Sequence, residues 1–446
     1  MPKTEFNAVS SMFELSHQAG NIPHILDQAS GAYRPLITED FSLANSAGES
    51  HIDAFNRLRV SEPLTLFDSS HRYSDNNLWA EFHSGPNSSG VFNPNQGLVD
   101  LNVDNTSGSQ VLRETTRVFS YQPGKSLLVM TTFVMNPAKE GLRERVGYFG
   151  EENGFYFQKD DSIVSFVERH FTEGFVDENI ITQENWNTDK LDGTGKSGIT
   201  LDASKGQILW ADIEWLGIGT VRMGFVIDGK FIICHKFHHA NLIAQTYITT
   251  ASLPLRYEIT NKTATSSGST LKQICSTVIS EGGYKLNGLQ KAVGTSIVAP
   301  KVLGTAGTRT PVVTLRLKAN RQDAVVILTA VSILPTAGNV NYRWELVAST
   351  VSSGGTGTWI SSGADSSVEY KLDATAVTGG RILAAGYTQG SNQGSNSVDL
   401  LKNALFKFQL ERDSFNGTNY ELALVCSSDT GSADIFGSLD WEEVSR

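Results

Sequence analysis

Apolar and polar residues alternate over long stretches of this chain, the period of a strand that buries one face. Val221, Met223, Phe225 and Ile227 are interleaved with Arg222, Gly224 and Val226. Asp228-Gly229 follows, and Phe231, Ile233, His235 and Phe237 then fall on one side of a returning strand. The Asp-Gly pair predicts a tight hairpin, because a type I′ turn needs positive φ at both central residues. Ser126 to Asn136 is a mostly apolar run rich in strand formers, and Ile208 to Gly217 predicts another long strand. Further along, Val313, Leu315 and Leu317 alternate with Thr314, Arg316 and Lys318, and Tyr342, Trp344 and Leu346 repeat the pattern. LFKFQLERD and YELALVCS flank Asn416-Gly417, a second hairpin candidate with a longer loop.

These segments predict a mainly β chain in three parts. Residues 1–59 have no sustained period, since Pro, Gly and Asn interrupt every apolar pair. They suit an extended N-terminal arm that gains order on a neighbouring subunit, or a flexible tail. Residues 60–293 carry enough tightly connected strands for a large antiparallel β-sandwich. VRMGFVIDGKFII within it resembles the back sheet of concanavalin-like jelly rolls, a likeness of fold that says little about binding. After a hinge near Gly294 to Gly307, residues 294–446 predict a smaller β-sandwich decorated by the loops Ser352 to Thr358 and Gly386 to Ser397.

The length of 446 residues exceeds one ordinary core, in line with more than one domain. Acidic residues outnumber basic ones by 47 to 36, and the net charge of −11 argues against a bulk grip on nucleic acid. Three widely spaced cysteines, Cys234, Cys275 and Cys426, show neither a disulfide framework nor paired zinc spacing, which suits a reducing cytoplasm. The N-terminus lacks the apolar core of a signal peptide. The longest apolar run, Val325 to Val331 with Thr329 inside it, is far short of a membrane span.

Several local motifs invite a chemical reading. Gly193-Thr194-Gly195-Lys196-Ser197 ends like a phosphate-binding loop, but position 190 is Lys where the first Gly belongs, and turn residues follow in place of a helix. Gly217-Ile218-Gly219 lacks the third Gly and the helix of a dinucleotide site. Cys234, His235, His238 and His239 are the densest ligand-type cluster. On a regular strand Cys234 and His238 share one face and His235 and His239 the other, so convergence on one metal needs a bend after Phe237. Glu140, Glu144, Glu151, Glu152, Asp160 and Asp161 could supply the two facing carboxylates of a glycosidase, but charged residues on solvated strand edges explain them more simply. No nucleophile elbow is apparent. The sequons at Asn87, Asn105, Asn261 and Asn416 mean nothing without secretion. Of the tryptophans that could stack on sugars, Trp79, Trp210, Trp215 and Trp344 are expected in cores, Trp210 and Trp215 on opposite sides of one strand. Trp186 and Trp359, beside turn residues, are the surface candidates.

Four phrases resemble ones that recur in virion structural proteins of tailed bacteriophages, including large myoviruses and cyanophages. They are DAFNRLRVSEPLTLFDS (Asp53 to Ser69), NWNTDKLDGTGKSGITLD (Asn185 to Asp202), WLGIGTVRMGFVIDGK (Trp215 to Lys230) and TTASLPLRYEITN (Thr249 to Asn261). The resemblance covers roughly residues 50 to 290, about half the chain, and carries no catalytic motif. It implies a building block of the particle in the tail, baseplate, collar or fibre, assembled in the host cytoplasm. Its expected partners are copies of itself and other virion proteins, with a host surface glycan as a further candidate, and with no nucleic acid and no membrane span. Neither an enzyme activity nor a cofactor is expected: catalytic, cofactor and metal residues are none. A capsid decoration or head-fibre protein is the alternative station. A jelly-roll carbohydrate-binding protein or glycan depolymerase is the alternative class.

Overall fold

The computed structural model describes residues 62–283, 288–322, 324–390, 409–413 and 417–445, together with four short strands elsewhere. Three of those strands, Ser16–Gln18, Ile22–Leu26 and Tyr33–Pro35, form an antiparallel sheet within a first unit, Met1–Glu62. The arm expected over residues 1–59 otherwise lies outside the described residues. The second unit, Pro63–Arg446, is antiparallel β-sheet throughout its paired strands.

Its larger sandwich packs a seven-stranded sheet on an eight-stranded one. The seven lie in the order Asp177–Thr182, Ile163–His170, Gly154–Asp160, Leu142–Phe149, Leu255–Asn261, Gln110–Thr115 and Trp79–Ser84. The eight run Lys230–Phe237, Val221–Ile227, Gln207–Ile213, Ser126–Val134, Ser269–Glu281, Leu98–Val103 and Ser89–Asn93, with Leu64–Ser70 also paired to Ser269–Glu281. The chain crosses repeatedly between the two sheets, which makes the sandwich a jelly roll. Ser126–Val134 alternates half-buried and buried residues without a break, as the sequence pattern demands. Phe133, Phe157, Phe166, Phe225 and Tyr257 meet in one core between the sheets.

A smaller sandwich has its own core around Val313, Leu346, Leu424 and Trp441. One of its sheets joins Leu289–Gly294, Asp434–Ser445, Val325–Pro335 and Asn396–Val398, with Lys301–Val302 beside Asp434–Ser445. The other orders Ile360–Ser361, Val368–Lys371, Thr310–Leu317, Glu421–Ser428, Asn341–Ser353 and Ala376–Gln389. The Gly294 to Gly307 segment therefore contributes a strand pairing as well as a connection. Across the two sandwiches Gln409 donates to Ser120 Oγ at 2.7 Å and Arg117 pairs with Glu411 at 3.3 Å.

The Asp228-Gly229 hairpin forms as its chemistry requires, with φ of 51° and 73°. The strand after it departs from simple alternation. Met223 faces His235 and Gly224 faces Ile233, which leaves Cys234 as an extra residue in a bulge. Ile232 and Cys234 thus pack inward, while Phe231 is exposed and leans on Trp210 at 5.4 Å. Beyond the bulge it is Phe237 that enters the core. The expectation that Phe231, Ile233, His235 and Phe237 share one side is therefore wrong, because the bulge switches the parity midway. Gly224 permits this: a Cβ there would lie 1.8 Å from the Ile232 carbonyl oxygen.

Two further expectations are corrected. Trp186 is buried, stacked on Phe166 at 4.4 Å, because the segment around it folds back onto the sandwich. Glu144 is no solvated edge residue. It is fully buried, accepts the Asn136 N–H at 2.8 Å and pairs with Lys159 at 2.9 Å.

Candidate functional site

The parity switch at Cys234 sets up a cleft at one end of the larger sandwich. Segment 187–189 covers the free edge of the strand Lys230–Phe237. Asn187 Nδ2 donates to the Lys236 carbonyl at 2.8 Å, its Oδ1 accepts the Lys236 N–H at 2.9 Å, and Thr188 and Asp189 N–H donate to the Cys234 carbonyl. An edge strand is thereby satisfied without a full neighbouring strand. The Asn187 backbone N–H also donates to His235 Nδ1 at 3.3 Å. Burial, then the nearby His238, lower the His235 pKa to about 4 against the opposing pull of Glu168. At neutral pH its ring is uncharged, and with Nδ1 accepting, Nε2 carries the proton.

His239 lies past the strand end, where the backbone turns. Its Nε2 meets Glu168 Oε1 at 2.8 Å, its Nδ1 meets the Gly219 carbonyl, and its ring stacks on Tyr247 at 4.0 Å. Both ring nitrogens face oxygen acceptors, an arrangement that favours the doubly protonated ring. Burial alone would lower the pKa. The hydrogen bond and charge of Glu168, with the Gly219 carbonyl, outweigh it and hold the pKa above the ordinary value. Tyr247 is fixed in turn by donating its hydroxyl to the Glu214 carbonyl at 2.8 Å. These groups enclose a cleft of about 520 Å³, whose rim carries Asn179, Asn187, Lys236, His238 and Gln245.

Of the four-residue His/Cys cluster, the cleft takes His235, His238 and His239, while Cys234 is buried in the core. Burial pushes the Cys234 thiol far up, so it is an inert packing group. Among the described residues no group of three or more His, Cys, Asp or Glu has an arrangement that could hold a metal ion. Glu168, Asn179 and Tyr247 carried no local sequence signal; they come from other strands and loops.

The other conspicuous chemistry lies on the face of the seven-stranded sheet turned away from the core. Arg256 pairs with Glu114 at 2.6 Å, Arg143 with Glu258 at 3.3 Å, and Arg169 with Glu178 at 2.6 Å. Arg145 donates to Gln158 at 2.7 Å and approaches Glu258 at 3.7 Å. Arg145 and Arg169 also lie over the Tyr156 ring, 5.2 and 5.3 Å from its centre. Burial would raise the Glu178 pKa, but the Tyr156 hydroxyl and the two guanidiniums outweigh it and hold the carboxyl below its usual range.

The remaining motifs resolve into structure. In the loop that ends like a phosphate site, Asp189 occupies the centre, accepting N–H groups of Leu191 at 3.0 Å and Ser197 at 2.8 Å. A carboxylate already holds the position an anion would need. Gly217 and Gly219 shape the turn that offers the carbonyl to His239. Asn261 is buried and donates to the Asp104 carbonyl at 2.7 Å, while Asn416 lies outside the described residues. Trp359 is half-buried, with the Arg316 guanidinium 4.1 Å from its ring centre and the Lys371 ammonium at 4.6 Å.

No family model matches this chain, and no curated protein matches it. Solved structures similar to it include the CBM2 module of the evolved Dit of Lactobacillus casei BL23 phage J-1, at TM-score 0.35 and 7% identity, covering 51% of this chain and 100% of that one. The carbohydrate recognition domain of Emp47p aligns at TM-score 0.31 and 9% identity over 50% of this chain and 97% of its own. A carbohydrate esterase of Shiga toxin-encoding bacteriophage phi24B aligns at TM-score 0.30 and 13% identity, over 49% and 99%.

Proposed function

We propose that the chain is a structural subunit of a tailed-phage virion, part of the tail, baseplate, collar or fibre apparatus, which works through contacts between subunits and not by catalysis. The observation that carries this reading is the ion-paired outer face of the seven-stranded sheet. Glu114, Glu178 and Glu258 each have an arginine partner there. A glycosidase acid must keep a proton near neutral pH, as a desolvated, unpaired carboxyl does. Glu178 is held in the opposite sense, and Glu144, the carboxyl that burial pushes up to about 7, is sealed from solvent beside Lys159 at 2.9 Å. A face knitted in this way is rigid scaffolding, and it coincides with the part of the chain whose phrasing resembles virion proteins.

Two experiments test the reading. Gold-labelled antibody against the chain should decorate purified particles at a fixed station on the tail; label on the head surface would favour a decoration role. Incubation with host surface polysaccharide should release no reducing ends. Sustained release, abolished by changing one Glu to Gln, would replace the structural reading by a depolymerase.

A further inference from the structure

The strand Ala376–Gln389 ends the six-stranded sheet of the smaller sandwich, and among the described strands only Asn341–Ser353 pairs with it. It is 14 residues long, and a free edge of that length offers a row of backbone N–H and carbonyl groups to another strand. Other sheet ends among the described strands are guarded or short. Segment 187–189 covers Lys230–Phe237, Asp177–Thr182 carries two carboxylates, Leu289–Gly294 carries Lys291, and Ile360–Ser361 has two residues. From Ile382 to Gln389 the long edge has no charged residue and no proline, in a chain of net charge −11. Neither of the residue types that keep sheet edges apart stands there.

The exposed apolar side chains of this edge also match one another. Leu346 faces Ala384 and Val347 faces Ile382, so Leu383 is an extra residue in a bulge. Tyr387 faces Arg343, which shares a face of its strand with Val347, and the bulge therefore sets Ile382 and Tyr387 on the same face of the sheet. Ile382 is 46% exposed and Tyr387 80%. We infer that two copies of the chain pair antiparallel along Ile382–Gln389, about a two-fold axis near Ala384 and Ala385. That symmetry sets the Tyr387 ring of each copy against Ile382 of the other, an aromatic and β-branched cross-strand pair made twice. The small residues Ala384, Ala385 and Gly386 leave room for close approach at the axis. Arg381, the strand's one charged residue, falls at opposite ends of the paired segment in the two copies and does not oppose itself. The segment is its own complement, which makes a second copy a better occupant than an unrelated strand. The pairing deepens the reading of the chain as a subunit that works through contacts with other subunits, and it rests on that reading.

The test is the solution mass of the full chain, measured by analytical ultracentrifugation over a concentration series. Wild type should be a dimer in reversible equilibrium with monomer. Ile382→Lys should weaken dimerisation about tenfold or more, because each dimer loses the pair twice. Adding Tyr387→Glu to Ile382→Lys should restore part of the loss, since the axis sets the two new charges opposite each other. Oxidised Ala385→Cys should give a covalent dimer that wild type, with Cys275 exposed, does not. A wild type that stays monomeric at the highest concentration reached overturns the inference. So does a closed assembly other than a dimer, a dimer that Ile382→Lys leaves unchanged, a charge pair that recovers nothing, or no cross-link at Ala385→Cys. The three substituted side chains are exposed, and an unchanged melting temperature will show that each variant is folded. Should a charged variant melt early, the cross-link decides. The purified chain is measured free of particles, so a monomer overturns the edge pairing alone, whereas particles that the antibody does not label overturn the virion reading.

Discussion

Glu168 and His239 are 71 residues apart in sequence, and their side chains meet at 2.8 Å with both groups buried. The pair fastens the loop after the strand Lys230–Phe237 to the strand Ile163–His170, so it joins an edge of one sheet to the other sheet. Its charge state gives the first prediction. The folded-state pKa of His239 is raised above the ordinary 6.5, so the stabilisation is fully present below that value and is lost as pH rises through the folded pKa. His239→Ala should cost about 3 kcal/mol near pH 6, because it strands a buried carboxylate. Urea unfolding across pH 6 to 9 should show the gap between wild type and variant narrowing as pH rises. A gap that widens with pH would mean the ring is neutral in the folded protein.

Gly229 has φ of 73°, and a Cβ at that position would meet nothing within 4 Å. The cost of a side chain there is purely conformational. Gly229→Val should destabilise the chain by about 1–3 kcal/mol, whereas Gly229→Asn, which tolerates positive φ, should cost much less. Thermal melting of the two variants checks the ordering.

Gly224 presents the opposite case, for its backbone is ordinary and its surroundings are full. A Cβ there would lie 1.8 Å from the Ile232 carbonyl oxygen, so Gly224→Ala must push two paired strands apart. The expected loss is about 3 kcal/mol or more, the range of overpacked sites. A variant that melts like wild type would show that the bulge is not needed.

How much of this was legible in sequence depends on the range of the interaction. The Asp228-Gly229 turn was readable because its requirement is local and only a few residue types satisfy it. The bulge at Cys234 was not, since it depends on how two strands approach across Gly224, which alternation alone cannot report. Trp186 misled for a related reason: turn neighbours suggest exposure, yet the loop folds back so that the ring reaches Phe166. The density of Cys234, His235, His238 and His239 did mark the right place. Its partners Glu168, Asn179, Asn187 and Tyr247 come from four other segments, so the chemistry of the cleft follows from topology and not from spacing. Likewise Glu144 looked like one more surface charge until Lys159, on the neighbouring strand, supplied its partner.

The central claim is that this chain is a stoichiometric part of a particle, and counting copies tests it most directly. Quantitative mass spectrometry of gradient-purified virions, scaled to a protein of known copy number, should find the chain in tens of copies per particle. Its absence from particles purified to constant composition would contradict the account, while hundreds of copies would move the chain from the tail to the capsid surface.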